Sequence, residues 1–585
     1  MPMNPSLNDM SFSSFGSALT IHKIVSGESD LIPCGANGAG FYEQKKSDGT
    51  FDPGYYIRAL YEDDRYRLLY RLSFDGIPAD MENEMTPEML TLSKANESMR
   101  ICFSAADTIR FLGDCKRFEL YMSEKEILKY NAAMFLDDRH IGLNTYTRKS
   151  IVYALHGTLE LDAPWGEHES NTYIRIIAHP DAEGKIELVY KDFRTEFTRD
   201  YLTTGFDADV ARVQKAAGSF LQNAVPCTST YEAARDLASY ILWNNSVSPN
   251  QLLRRNAILA DKEWRCETRY IDCMLALWAL MPVQPELAWD QFLLFAEQQD
   301  DSGAMPAWIG SYKIDDRALR PPMASMPIRA MLARGILNQE QMKAAYDVLS
   351  REAGFWLAHR DYNGNGIPEY TRFDECGGEG CSAFDWSIWV ETPDLTAYLI
   401  LELQCLDTLS RELGLEDAHW LNASNNLLSA FIQNNWDAER RSFVSRDARS
   451  HQVCPCESLI NHIPLILGKL LPDTIRGGML NDLLEKEKYL CTAGITSQAQ
   501  TSAKYDEALT LRGGVWAPWL LMIVYGLQAC GFSTAVRDIA RRFCDNAVRN
   551  GFRERYSASG KGLDGHADSA TAAVFLILLR DYLEG

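Results

Sequence analysis

The hydrophobic period of this chain changes once, near residue 206, and that change limits the folds open to it. Before it, short runs at 56–61, 66–74, 117–122, 150–161, 172–178 and 187–197 alternate apolar and polar residues. They are rich in β-branched and aromatic side chains and are separated by turns such as Asp181-Ala-Glu-Gly184, a pattern that predicts an antiparallel β-sandwich. After it, the period becomes helical at 207–221, 231–244, 271–281, 285–298, 322–333, 338–359, 394–413, 418–435, 464–470, 514–530, 533–550 and 569–583. So many helices in one unit must close on themselves to bury their apolar faces, and six helical hairpins in a double ring do so economically. No fixed-period repeat supports a solenoid. The expected division is a sandwich over 1–205, a helical linker over 206–228 and an all-helical unit over 229–585.

A length of 585 residues exceeds one ordinary core. The net charge of -22 argues against nucleic acid, which needs a basic face that this sequence does not show, and suits a neutral ligand. Residues 1–19 contain neither a basic residue nor an unbroken apolar run, so no secretory signal is read there. The apolar stretch 515–532 is interrupted by Pro518, Gly526, Gln528 and Gly531 and reads as a buried helix, not a membrane span. The 14 cysteines follow no repeating frame and are expected to be reduced, in a cytoplasmic protein. Neither Cys454-Pro-Cys456 nor the pair Cys376 and Cys381 has zinc-site spacing. Nothing in the sequence sets an oligomeric state.

Two carboxylates draw attention. Asp385 stands among Phe384, Trp386 and Trp389, and aromatic enclosure would favour its neutral form, as a general acid requires. The same residues also fit an Asp at a loop-to-helix junction flanked by core aromatics. Glu554 stands between Arg553 and Arg555, surroundings that favour a carboxylate. An acid and a base pushed in opposite directions are the pair that glycoside hydrolysis uses, and a salt-bridged surface loop is the alternative. Asp361, Asn363, Asn365 and Glu369 alternate around Gly366 like a truncated calcium loop lacking its twelfth-position Glu. A turn held by Asn and Gly is the preferred reading there, so no cofactor is expected and calcium is the alternative.

The order of motifs from about residue 205 to 580 resembles glycoside hydrolase family 63, the processing α-glucosidase-like enzymes, with the trehalases of family 37 as relatives. The landmarks are Asn244-Asn-Ser-Val-Ser-Pro249, Lys262-Glu-Trp264, Tyr270-Ile-Asp272, Gln284-Pro-Glu-Leu-Ala288 and Asp301-Ser-Gly-Ala-Met-Pro306. They continue with Arg320-Pro-Pro-Met323, the loop from Arg360 to Glu369, Ala383-Phe-Asp385-Trp-Ser387, Arg512-Gly-Gly-Val-Trp516-Ala-Pro518, Phe552-Arg-Glu554-Arg-Tyr556 and Asp568-Ser-Ala-Thr-Ala572.

The resemblance implies an (α/α)6 barrel behind the sandwich and inversion at the anomeric carbon. Asp385 would then be the general acid and Glu554 the general base of an exo-acting α-glucosidase. Trp386, Ile388, Gly514 and Leu511 depart from the family pattern, which bears on the sugar and its leaving group. Further candidates for substrate contact are Asp272, Lys262, Trp264, Trp386, Trp389, Arg512 and Trp516. An α-L-rhamnosidase-like or trehalase-like enzyme, or a non-catalytic sugar-binding protein, are the alternatives. A small saccharide is the expected partner, without nucleic acid or membrane.

Overall fold

The computed structural model describes residues 5–24, 52–60, 68–76, 81–124, 126–127, 129–145, 148–166, 169–193, 201–263, 265–415, 418–485 and 487–583. The expected strand residues 61, 66–67 and 194–197, and the candidate Trp264, lie outside them. The chain forms two compact units. The first comprises 1–223, 239–267 and 310–312; the second comprises 224–238, 268–309 and 313–585.

The first unit is a β-sandwich. Its strands are β1 (Leu19–Ile24), β2 (Gly54–Ala59), β3 (Leu68–Ser73), β4 (Glu82–Met85), β5 (Leu90–Lys94), β6 (Glu97–Ala105) and β7 (Thr108–Asp114). They are followed by β8 (Phe118–Met122), β9 (Ala132–Phe135), β10 (His140–Asn144), β11 (Lys149–His156), β12 (Thr158–Asp162), β13 (Ile174–His179) and β14 (Lys185–Phe193). Among the described residues one sheet runs β1-β2-β3-β8-β13-β12 and the other β4-β5-β6-β7-β14-β11-β10-β9, with antiparallel pairing. Phe111 on Phe118 (5.9 Å) and Tyr70 on Tyr190 (6.3 Å) join the two sheets.

The run 150–161, read as one strand, breaks at Gly157, and its halves β11 and β12 enter different sheets. Gly157 has φ 92°, and a Cβ there would lie 2.3 Å from the His179 carbonyl oxygen. Only glycine allows the chain to change sheets at that point. Helix α1 (Phe206–Gln222) packs on β6 in this unit.

The helices that follow are α2 (Glu232–Asn244), α3 (Tyr270–Leu280), α4 (Pro285–Ala296), α5 (Ser325–Ala333), α6 (Gln339–His359), α7 (Pro393–Glu412) and α8 (His419–Asn435). A 3-10 segment (Leu459–Leu470) precedes α9 (Asp473–Leu483), α10 (Ala517–Ala529), α11 (Ser533–Asn550) and α12 (Ser569–Leu578). In the second unit α3 packs on α5, α5 on α7, α7 on the 3-10 segment, that segment on α10, α10 on α12, and α12 back on α3. Six inner segments therefore close a ring. Outside it, α4 covers α3, α6 and α8 cover α7, α9 covers the 3-10 segment and α11 covers α10. This is an (α/α)6 barrel.

The sequence chemistry explains the layers. Every residue of α3 and α12 is buried, because a helix that is apolar all round can only sit in a core. The apolar stretch beginning at residue 515 becomes α10 of the inner ring, and no helix among the described residues is long and apolar enough to cross a membrane. Outer helices such as α11 bury one stripe, through Val536, Ile539, Ala540, Phe543 and Ala547. Helix α9 was not expected, since Gly477 and Gly478 weaken its propensity. Gly478 allows close packing, with Trp436 and Arg441 atoms 3.1 Å from where its Cβ would stand.

Candidate functional site

The loops leading into four inner segments carry most of the expected residues. Asp272 lies in the first turn of α3 and is buried. Asp385 follows the 3-10 turn Ser382–Phe384 ahead of α7. Trp516 is the N-cap residue of α10, and Glu554 lies in the loop between α11 and α12.

A glycine-rich loop, Cys376-Gly-Gly-Glu-Gly-Cys381, draws these lead-ins together. Gly377 has φ 122°, and a Cβ there would lie 2.7 Å from Trp516 Cη2 and 3.0 Å from Ile271 Cδ1. The Gly380 carbonyl accepts a hydrogen bond from Arg512 Nε at 2.7 Å. The same guanidinium donates through Nη2 to Asp385 Oδ1. Both cysteines flanking the loop are buried thiols. Burial pushes Cys376 up, and its hydrogen bond to Cys381 adds to the rise.

Four residues beyond Arg512, Trp516 pairs across a two-residue strand with Arg555, the neighbour of Glu554. The segment 512–516 thus touches Asp385 at one end and the Glu554 strand at the other. Trp516 itself packs edge-on against Trp519 (5.7 Å, 73°).

Asp385 is not enclosed by aromatics. Trp386 and Trp389 turn outward and are 66% and 47% exposed, and only Phe384 is buried. The electrostatic partners of Asp385 are instead Arg512 and Lys504, whose Nζ lies 2.9 Å from Oδ2. Lys504 also donates to the Pro455 carbonyl at 3.0 Å. The expectation for Glu554 also changes. Arg555 pairs with Asp564 and donates to the carbonyls of Glu507 and Leu509. Arg269 stands near Glu554, with Nη1 4.0 Å from Oε1.

Sequence reasoning missed both Lys504 and Arg269. Arg269 had a usable signal, since it immediately precedes the helix carrying Asp272. Lys504 lies in a polar loop without any.

Lys262 is a further candidate for substrate contact. It belongs to the first unit, buried, with Nζ donating to Ser13 Oγ (3.0 Å) and to the carbonyls of Ser14 (3.4 Å), Ser17 (2.5 Å) and Ser246 (3.1 Å). Burial lowers its pKa well below the usual value. These contacts tie the N-terminal segment to residue 246 and leave the ammonium committed to protein oxygens.

The loop 361–369 closes on itself. The amide of Asn365 donates to Asp361 Oδ1 (3.0 Å) and Asn363 Oδ1 (2.9 Å), Gly366 to Asp361 Oδ2 (2.9 Å), and Ile367 to Asn365 Oδ1 (2.8 Å). The amide groups of Asn363 and Asn365 both reach Glu391 Oε1, at 2.6 and 2.8 Å. Glu391, just ahead of α7, was not anticipated. Glu369 and Glu391 are buried, and the Oε2 of each has no hydrogen-bond partner among the described residues. Burial pushes Glu369 up to about 7, with the charges of Glu391 and Asp361 adding to the rise, and burial also raises Glu391. Among the described residues no group of three or more His, Cys, Asp or Glu side chains is arranged to hold a metal. A cation here would therefore also draw on amide and backbone oxygens, as calcium does.

A mannosylglycerate hydrolase of glycoside hydrolase family 63 from Thermus thermophilus, solved with glucose, superposes with a TM-score of 0.50 at 19% identity, covering 58% of this chain and 98% of its own. The same enzyme with Tris gives the same values. Neutral trehalase from Saccharomyces cerevisiae gives a TM-score of 0.48 at 16% identity, covering 56% and 73%. No curated protein matches the chain. Residues 270–567 match the family described as the mannosylglycerate hydrolase MGH1-like glycoside hydrolase domain. That match starts at the first residue of α3 and ends in the loop before α12, spanning about half of the chain, and the protein therefore belongs to the MGH1-like glycoside hydrolases.

Proposed function

We propose that this glycoside hydrolase is an inverting, exo-acting enzyme for a small α-linked saccharide, with Asp385 as general acid and Glu554 as general base. The observation that supports the assignment is the segment 512–516, which binds Asp385 through Arg512 and pairs Trp516 with Arg555 beside Glu554. In this reading Asp385 protonates the glycosidic oxygen while Glu554 takes a proton from water attacking the opposite face of the sugar. Asp272, in the first turn of α3, and Arg512 supply hydrogen bonds to sugar hydroxyls. An α-glucoside is the first choice of substrate.

A second reading follows the relatives' name to a mannosylglycerate. Lys504, partly exposed beside Asp385, offers a cation to a carboxylate on the leaving group. A panel of α-glucosides, trehalose, α-mannosides, α-L-rhamnosides and mannosylglycerate separates these readings, with the first-formed anomer followed by proton NMR. The expected result is a β-anomer released from an α-glucoside. Release of the α-anomer would exclude inversion, and turnover of mannosylglycerate alone would favour the second reading.

We also propose that loop 361–369, with Glu391, takes a calcium ion. The supporting features are the two buried, unpartnered carboxylate oxygens beside an Asp-x-Asn-x-Asn-Gly turn. Ligand at 100 times its Kd adds about 2.7 kcal/mol of stability. Millimolar calcium is thus expected to raise Tm by a few degrees over EDTA-treated protein, and Glu391→Gln to abolish the difference. Identical melting with and without calcium in the wild type would refute the site.

A further inference from the structure

Three large aromatic side chains on or against the segment that carries the proposed acid face solvent. Tyr362 is 63% exposed and stacks on Trp389, with ring centroids 5.6 Å apart and planes inclined by 23°. Trp386, the residue after Asp385, carries Lys504 Nζ 5.7 Å from its ring centroid.

This is not a loose loop tip. The Trp389 amide donates to Ser387 Oγ at 3.2 Å, and its carbonyl accepts from the Ala448 amide at 3.0 Å. The next residues, Val390 and Glu391, pair with Asp447 and Arg446, and Val390 also bridges to Tyr370. Tyr362 is held from the other side by the self-bonded turn 361–369. Leaving such rings in water forgoes the burial that aromatic side chains usually gain, while their flat apolar faces match the C–H face of a sugar or an aryl ring.

We propose that Tyr362, Trp386 and Trp389 form a platform for the leaving group of the glycoside, which accordingly carries a ring of its own, a second sugar or an aryl group. The inference rests on Asp385 as the general acid. The acid must reach the glycosidic oxygen, so side chains extending outward from it meet the departing half of the substrate and not the sugar that is attacked.

The test uses the full chain and the sugar that the panel identifies, as its disaccharide, 4-nitrophenyl and methyl glycosides. The quantity read is the ratio of kcat/KM for each ring-bearing leaving group to that for methyl. Trp389→Ala and Tyr362→Ala are each expected to lower this ratio about tenfold, and Trp389→Phe to restore most of it. A ratio unchanged in all three variants of a working enzyme overturns the platform alone. Full activity of Asp385→Asn on the methyl glycoside, or no turnover of any panel member, removes the acid assignment and the platform with it.

Discussion

Asp385→Asn is expected to lower kcat/KM on a natural saccharide by about 10²–10⁴-fold, the usual contribution of a positioned general acid. The loss should shrink towards wild type when the leaving group is 2,4-dinitrophenolate, which departs without a proton. Glu554→Gln should lose a comparable factor on both substrates, because water must be activated whatever leaves. The contrast separates the two roles in one experiment. Asn and Gln preserve shape; the single amide oxygen at position 385 can serve Arg512 or Lys504 but not both, and the partly exposed position leaves the other cation to water, while Arg269 keeps an oxygen at 554. Circular dichroism should therefore be unaltered. Full activity of either variant on the natural saccharide would remove that residue from the mechanism, and the reverse leaving-group pattern would exchange the roles.

Glu402→Gln is expected to raise Tm at pH 8 by about 2 °C or more and to leave it nearly unchanged at pH 5. Glu402 on α7 is fully buried, and neither of its carboxyl oxygens has a hydrogen-bond partner among the described residues. Glu352 on α6 is its electrostatic neighbour and accepts from the Tyr270 hydroxyl at 3.1 Å.

Burial pushes both carboxyls up from 4.5, Glu352 to about 8 and Glu402 well above its usual value, helped by the charge of Glu352. The folded protein thus binds more protons than the unfolded chain above pH 4.5. Their stabilising contribution is complete below that pH and is lost as pH rises through the folded values. A tenfold change in a carboxyl's proton affinity on folding corresponds to about 1.4 kcal/mol, so relief of even part of the rise is measurable by calorimetry across pH 5–8. A pH dependence of Tm identical to wild type would show that the buried pair does not hold the proton assigned to it.

Much of the architecture was legible because local chemistry specifies it. Period-two alternation made the strands, and segments apolar on every side could only become inner helices, as α3, α10 and α12 did. The break at Gly157 was not legible. Alternation continues across it, and the sheet change depends on how closely the His179 carbonyl approaches. The identities of Asp385 and Glu554 as candidates came from the order of motifs, but their surroundings did not. Trp386 and Trp389 adjoin Asp385 in sequence but stand exposed to solvent and do not enclose it.

By itself, then, the sequence determined a β-rich first part, a helical barrel after it, a glycosidase-like set of landmarks and two candidate carboxylates. Residues within a turn of each other interact whatever the fold, so their pattern can be read directly. Tertiary structure alone decided which charges meet those carboxylates. Arg269 reaches Glu554 and Lys504 reaches Asp385 across hundreds and scores of residues. The first of these pairs joins the lead-ins of α3 and α12, which become neighbours only when the ring of inner helices closes.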